Sequence, residues 1–132
     1  MPGYGMGRGR GGGRGGRRGW GQLALFLRPG ILLLLREDPS HGYNLIDDLR
    51  QEGIIDEDLD AAVVYRYLRE MEEEGLLLAE WHTEGPGVPR KVYHLTASGQ
   101  EFIHGCMYNL QRTQQRLEHL FRLYRRNMGE EV

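Results

Sequence analysis

The sequence predicts a mainly α-helical domain with one small β-hairpin, and three observations support this fold class. Between Asp60 and Gly75, apolar residues recur every three or four positions, which is the periodicity of an amphipathic helix. Two short extended runs follow, and the loop between them contains two glycines and two prolines, which is typical of a hairpin. A long stretch of helical periodicity begins after Thr96. A helix that leads into a hairpin with a basic return strand is the layout of a winged helix-turn-helix.

Residues 1–22 differ in composition from the rest of the chain. Residues 1–21 contain 11 glycines interspersed with arginine, and such a segment cannot offset its loss of backbone entropy by burying apolar surface. We therefore predict a disordered Gly/Arg-rich arm over residues 1–22. Two interpretations stay open: the arm contacts nucleic-acid phosphates or single strands, or it is a tail that aids solubility or reflects the choice of start site.

The formal net charge of −2 conceals two regions of opposite sign. Five of the 17 basic residues and no acidic residue lie within residues 1–22, which leaves 12 basic residues against 19 acidic ones in the remainder. An acidic body does not attract DNA through its overall charge, so any contact with DNA must depend on locally placed arginines.

Residues 23–96 are predicted to form the winged helix-turn-helix domain. Its first helix is expected to begin near Pro29 and to run through five consecutive apolar residues to about Glu37. A helix without a polar face must be covered on all sides, and we expect a second copy of the chain to supply part of that cover. Ser40 is predicted to cap a second helix that runs from His41 to about Gln51. The predicted core face of this second helix is Tyr43, Leu45, Ile46 and Leu49.

The third helix is predicted to be the recognition helix, with Asp60 as its cap and Gly75 at its exit. Its predicted core face is Ala61, Val64, Tyr65, Leu68 and Met71. The opposite face presents Arg66 and Arg69 in its first turns. The end of the helix carries four glutamates, which are interpreted as a solvated face.

Residues 97–132 are predicted to form a long C-terminal dimerisation helix, capped by Thr96 and ended by Gly129. Its apolar residues alternate spacings of four and three with one polar interruption at Gln114, as in a coiled coil. One helix of this length cannot bury such a stripe on so small a domain, so we predict a two-fold symmetric homodimer. The predicted dimer contacts are Ile103, Met107, Leu110, Leu117, Phe121 and Tyr124.

Three segments resemble, in the right order, the signatures of the PadR family of transcriptional regulators. His41-Gly42-Tyr43 resembles the HGY signature, and Tyr65 to Leu78 resembles the pattern Y-x-x-L-x-x-L-E-x-x-G-L. Residues 87–99 resemble the wing pattern G-x-P-R-K-x-Y-x-L-T-x-x-G, and the whole match covers about residues 30–102. The resemblance implies a sequence-specific DNA-binding regulator in the cytoplasm, a repressor whose action is relieved by a small-molecule effector or a stress signal.

Within this layout, Arg66 is the predicted reader of a base edge, preferably guanine, because its planar guanidinium matches two acceptors. Arg69 and Tyr67 are predicted to contact the DNA backbone, and Arg90 and Lys91 to clamp a phosphate or enter a minor groove. The full set of predicted DNA-binding residues is Ser40, His41, Tyr65, Arg66, Tyr67, Arg69, Arg90 and Lys91. A symmetric dimer predicts double-stranded DNA with a pseudo-palindromic operator, its half-sites one or more turns apart at roughly 10 bp per turn.

Some features favour other interpretations. His41 and Tyr43 fit either a phosphate contact or packing and capping, and Trp81 fits either an aromatic ligand pocket or ordinary packing. The acidic loop before Asp60 would be repelled by DNA, and Val63 stands where the family commonly has Ser or Thr. These features support a rival function, a winged-helix protein-interaction module that has lost DNA binding. A third hypothesis is single-stranded nucleic-acid binding through the arm alone.

No enzyme, cofactor or metal site is predicted. The glycine-rich arm is neither a P-loop nor a dinucleotide fingerprint, because no strand precedes it and no Gly-Lys-Ser/Thr follows. His82 and His94 are expected on neighbouring strands with the same facing, but two histidines without a third ligand make a weak metal site. The single Cys106 fits a reducing cytoplasm. No stretch approaches the roughly 20 apolar residues of a membrane span, so no membrane association is predicted.

Overall fold

The computed structural model describes residues 20–129. Within that range the chain forms four helices and three short strands: α1 (Trp20–Glu37), β1 (Ser40–His41), α2 (Gly42–Gln51), α3 (Ala61–Glu73), β2 (Leu77–His82), β3 (Arg90–Leu95) and α4 (Ala97–Met128). The predicted fold class is confirmed. Most of the Gly/Arg-rich arm lies outside the described residues, and its last three residues belong to α1.

Helix α1 is longer than predicted. It begins at Trp20 and contains Pro29 in its interior, so the prediction that Pro29 starts the helix is wrong. Leu27 and Ile31, on either side of the proline, are completely buried. Because these side chains continue one buried face, their packing compensates for the backbone hydrogen bond that the proline removes.

Helix α2 begins one residue later than predicted, because Ser40 and His41 form strand β1. The Ser40 hydroxyl donates to the carbonyl oxygen of His41 at 3.2 Å and caps no helix, so the predicted capping by Ser40 is wrong. The predicted core positions Leu45, Ile46 and Leu49 are buried. Tyr43 is 69% exposed, which corrects its assignment to the core.

The three strands form one antiparallel sheet in the order β1-β3-β2. In the hairpin, Leu77 pairs with Leu95 and His82 pairs with Arg90. Because side chains of a strand alternate between the two faces, Arg90 and Lys91 point to opposite sides of the sheet. The exposed loop of residues 83–89 joins the two long strands, and we call the hairpin β2–β3 with this loop the wing.

Local capping fixes the starts of α3 and α4 as predicted. The Asp60 carboxylate accepts from the Ala62 N–H at 3.0 Å at the start of α3. The Thr96 hydroxyl accepts from the Gly99 N–H at 3.0 Å at the start of α4. Gly75 follows α3 with a φ of 83°, a left-handed conformation that favours glycine.

The hydrophobic core lies between α1, α2, α3, the sheet and the start of α4. Helix α3 contributes Val64, Tyr67, Leu68 and Met71, all at most 7% exposed. Tyr65, which the sequence analysis placed in the core, is 40% exposed instead. Helix α4 joins the core through Ile103 and then extends beyond it. None of the helices between residues 20 and 129 has the length and apolar character needed to cross a bilayer.

Candidate nucleic-acid interface

A concave surface, which we call the wing groove, lies where the first turn of α2, helix α3 and the wing meet. It is lined by His41, Gly42, Tyr43, Asn44, Tyr65, Val88, Pro89, Arg90 and Lys91. Four of the predicted DNA-binding residues therefore come together here: His41, Tyr65, Arg90 and Lys91. Ser40 is half-buried in β1.

Arg90 is oriented at the rim of the wing groove by His41. Its Nη1 lies 3.2 Å from Nε2 of His41, and Nδ2 of Asn44 lies 3.5 Å from the same ring nitrogen. A guanidinium donates and does not accept, so Nε2 of His41 is the acceptor in the contact with Arg90. His41 thus connects Arg90 of the wing to the start of α2.

The start of α2 is suited to bind an anion. His41 occupies the N-cap position, with no side-chain hydrogen bond that caps the helix. The first N–H groups of a helix point outward and carry a partial positive charge, which makes them a binding site for phosphate. Arg90 and Asn44 place two further donor groups beside this helix start.

Gly42 allows α2 and α3 to approach each other closely. A Cβ atom added to Gly42 would lie 2.5 Å from Cε1 of Tyr65, closer than real contacts allow. The absence of a side chain at Gly42 thus lets the Tyr65 ring pack against the start of α2. This packing gives the glycine between His41 and Tyr43 a physical role that the sequence motif alone does not reveal.

Two arginines of α3 lie near the surface. The Arg66 side chain is 38% exposed, with its Nε 3.9 Å from Oε2 of Glu70. Its guanidinium also lies 5.9 Å from the centre of the Tyr67 ring. Arg69 is exposed. Tyr67 itself is 7% exposed and packs in the core, so its predicted position facing the DNA backbone is wrong.

Lys91 belongs to a different cluster from Arg90. Its Nζ lies 3.2 Å from Oε1 of Glu72, and 5.9 Å and 5.5 Å from the ring centres of Trp81 and Tyr93. Burial alone would lower the pKa of Lys91, but the hydrogen bonds and charge interactions with Glu72 and Tyr93 together outweigh that effect and raise the pKa. The side chains of Arg90 and Lys91 leave β3 on opposite faces, but both residues line the wing groove, so their predicted contact with a phosphate stays a prediction.

Sequence reasoning missed Arg28, which ties the acidic end of α3 to α1. Its Nη1 and Nη2 donate to the two carboxylate oxygens of Glu74 at 2.8 Å and 3.1 Å, and Glu70 lies 3.8 Å away. These hydrogen bonds raise the pKa of Arg28 and lower the pKa of Glu74. Glu74 is exposed, as the interpretation of a solvated face predicts, but both Glu74 and Glu72 also form ion pairs with basic residues of other elements.

The predicted dimer contacts divide into two groups along α4. Ile103 is 6% exposed and belongs to the core of its own chain, so its assignment as a dimer contact is wrong. Met107 and Leu110 are half-buried, and Met107 packs against the core. The outer group is exposed by 40% or more and consists of Leu117, Phe121 and Tyr124.

Comparison with known proteins agrees with this arrangement. The profile of the family described as the transcriptional regulator PadR-like family matches residues 31–105. No curated protein matches the chain. A solved conserved protein of unknown function, described as a potential transcriptional factor, shares 37% identity with it at a TM-score of 0.66. That match covers 92% of this chain and 100% of the other.

Two further solved structures relate the chain to named regulators. A PadR family transcriptional regulator from Eggerthella lenta shares 28% identity at a TM-score of 0.58, over 76% of this chain and 90% of the other. Bacillus subtilis PadR in complex with operator DNA shares 26% identity at a TM-score of 0.54, over 61% of this chain and 46% of the other. The family is one of DNA-binding regulators rather than enzymes. This chain belongs to the PadR-like family of transcriptional regulators.

Proposed function

We propose that the protein is a sequence-specific, homodimeric repressor that binds double-stranded DNA in the cytoplasm. The observation that carries this proposal is the wing groove, where Arg90, the start of α2 and Tyr65 converge beside α3. A phosphate seated against the first turn of α2 would receive hydrogen bonds from backbone N–H groups and from the Arg90 guanidinium. This contact would fix the position of α3 on the duplex.

Helix α3 would then enter the major groove with its first two turns. Arg66 is the proposed reader of a base edge, and Arg69 is the proposed phosphate contact on the same helix. Arg66 would have to exchange its contact with Glu70 for the base, and a bidentate hydrogen bond to guanine is a suitable replacement. We assign Lys91 to support of the wing through Glu72, where its charge still contributes to the local attraction of DNA.

A second copy of the chain would cover the outer part of α4. This helix has 32 residues and is therefore about 48 Å long, whereas its buried residues are confined to its first two turns. Leu117, Phe121 and Tyr124 continue the same stripe away from the core and are exposed. Two such stripes would bury each other across a two-fold axis and set the spacing of two α3 helices on a pseudo-palindromic operator.

The effector response is proposed at the junction between α1 and α4. A small cavity of about 230 Å³ lies there, and the apolar side chains of Leu25, Phe102 and Leu110 contribute to its lining. A small apolar molecule bound in this cavity would change the position of α4 relative to α1. Because α4 is the proposed dimer contact, that change would alter the separation of the two α3 helices and relieve repression.

The rival function, a protein-interaction module without DNA binding, is favoured by one observation. Arg66 and Lys91 both contact glutamates of α3, so two cations suited to DNA already have acidic neighbours. A gel shift with DNA from the promoter of the protein's own gene, at moderate salt, separates the two functions. We expect a shifted complex for the unmodified protein and a weaker one for an Arg66→Ala/Arg90→Ala double variant. Absence of any complex with the unmodified protein would favour the interaction module.

A further inference from the structure

Three side chains that the DNA-binding proposal does not use converge on one face of the wing. Glu80 and His82 lie two residues apart on β2, and His94 lies on the neighbouring strand β3. The register pairs Glu80 with Val92 and Leu78 with His94, so all three side chains belong to the same face of the sheet. One ligand atom from each of the three lies within 4.8 Å of the other two.

One carboxylate oxygen of Glu80 lies near both histidines of this cluster. Oε1 of Glu80 is 3.0 Å from Nε2 of His94 and 3.8 Å from Nε2 of His82. Ligands around a tetrahedral zinc ion, with bonds of about 2.0–2.2 Å, lie roughly 3.3 Å apart. Small rotations of two side chains that are 55% and 56% exposed, those of His82 and Glu80, would bring the three atoms to that spacing.

The buried ring nitrogen of His94 is placed to bind a further atom or ion. Its Nε2 is shielded from solvent and has no hydrogen-bond partner among residues 20–129, because Glu80 Oε1, although close, does not complete the geometry of a hydrogen bond. Polar atoms that are withdrawn from water are nearly always bound to something. One cation at the centre of the cluster would engage all three ligands at once, including Nε2 of His94.

We propose that Glu80, His82 and His94 bind a late first-row transition metal ion, of which Zn²⁺ is the representative. Two imidazoles and one carboxylate are a ligand set that suits zinc, whereas Mg²⁺ and Ca²⁺ prefer oxygen ligands alone. The two exposed ligands leave a fourth position open to water. The groove beside His82 and His94 is also lined by carboxylates that attract cations, namely Glu37, Asp38, Asp47 and Asp48.

The metal would join the two long strands of the wing. Its ligands come from both strands, with His82 next to the loop of residues 83–89 and His94 near the base of the hairpin, so the bound ion would restrain β2 against β3. This site does not depend on the proposed function, because its ligands lie outside the wing groove and require no DNA.

The experiment is titration of the chelator-treated full chain with Zn²⁺ by isothermal titration calorimetry, with the electronic absorption of bound Co²⁺ as a second readout. We expect one Zn²⁺ per chain and no comparable binding of Mg²⁺. His82→Ala, Glu80→Gln and His94→Gln should each weaken Zn²⁺ binding more than about tenfold, because loss of a ligand costs more than loss of a supporting residue. His119→Ala, which removes an exposed histidine of α4, is the matched control and should bind as the unmodified chain does.

Two results would overturn the site. One is a lack of Zn²⁺ binding to the unmodified chain, and the other is unchanged affinity in His82→Ala and Glu80→Gln. These two substitutions change exposed side chains, so circular dichroism should show that both variants fold. The test therefore remains decisive even if the half-buried His94 cannot be replaced.

Discussion

Individual cations of this protein divide between internal ion pairs and the groove surface. Arg28 and Lys91 bind glutamates of α3, whereas Arg90 donates to His41 at the rim of the wing groove. A cation that is paired with a glutamate must break that ion pair before it can contact a phosphate. Arg90 contacts a histidine instead, so its charge stays available to an anion. The position of an arginine in this network therefore indicates its role better than its position in the sequence.

Substitution of the two arginines that are assigned to DNA contacts should have different effects on DNA binding. Arg66→Ala should reduce the preference for the operator over unrelated DNA by about 1–3 kcal/mol, because a bidentate base contact carries sequence information. Arg90→Ala should weaken binding to both DNAs similarly, because a phosphate contact carries no sequence information. It should also reduce the slope of log K against log salt concentration by about one unit. Fluorescence anisotropy with operator and scrambled duplexes at several salt concentrations measures both effects. Equal losses of preference in the two variants would contradict the assignment.

The Arg28–Glu74 pair predicts a stability effect that depends on pH. The hydrogen bond from Arg28 lowers the pKa of Glu74 in the folded chain. The pair should therefore stabilise the fold above the ordinary glutamate pKa of about 4.5, and this contribution should be lost as the pH falls through the lowered pKa. Because the Glu74 side chain is 47% exposed, solvent screening limits the effect to about 0.5 kcal/mol.

Urea denaturation of Glu74→Gln at neutral and acid pH tests this effect. The variant should unfold more easily than the unmodified chain at pH 7, and the difference should disappear in acid. Glu73→Gln, a change at an exposed position of the same helix, is the control and should show neither effect. A difference for Glu74→Gln that persists in acid would mean that the ion pair is not its cause.

At the scale of elements, the start of α4 is hydrogen-bonded to Gly75 and Leu76, the residues that connect α3 to β2. The Thr96 hydroxyl lies 2.7 Å from the Gly75 carbonyl oxygen, and the Thr96 N–H donates to that of Leu76 at 3.2 Å. A Cβ atom at Gly99 would collide with the same Leu76 carbonyl oxygen. Gly99 is therefore needed for the close approach of α4 to Leu76, although its helical position would otherwise favour alanine.

Two glycine substitutions in α4 should have opposite effects on stability. Gly99→Ala should lower the free energy of unfolding by about 1–3 kcal/mol, because a backbone carbonyl cannot move away as a flexible side chain can. Gly105→Ala lies on the same helix with nothing within 4 Å of the added Cβ, and it should raise stability by about 0.5–1 kcal/mol. Thermal unfolding followed by circular dichroism measures both, and a stabilising Gly99→Ala would disprove the close approach.

For the whole molecule, the exposed apolar stripe of α4 predicts the oligomeric state. Phe121→Glu places a charge in the stripe and should convert the proposed dimer into a monomer, because two such charges would meet near the symmetry axis. Leu123→Glu makes the same chemical change at a 45% exposed position outside the stripe, and it should leave the dimer intact. Sedimentation equilibrium of both variants measures the mass. A monomeric unmodified chain, or equal dissociation of the two variants, would contradict the proposed dimer.

Sequence reasoning identified the elements better than it identified the direction of their side chains. The caps Asp60 and Thr96 and the glycine exits follow from local hydrogen bonding and were predicted correctly. Tyr67 was missed in the core, although Val64, Tyr67, Leu68 and Met71 follow the i, i+3, i+4, i+7 spacing of one helix face. Tyr65 lies at the margin of that face, and its ring packs against Gly42 at the start of α2, a contact that the sequence pattern does not reveal.

The sequence by itself determined the fold class, the four helices, the wing and the family, because periodicity, caps and turn residues act over a few positions of the chain. Only the tertiary structure decided that Arg28 binds Glu74, that Arg90 contacts His41, and that Glu80 completes a cluster with His82 and His94. These contacts join residues up to 49 positions apart, or depend on the register of two strands. Long-range packing fixes such distances, and no local pattern in a single sequence encodes them.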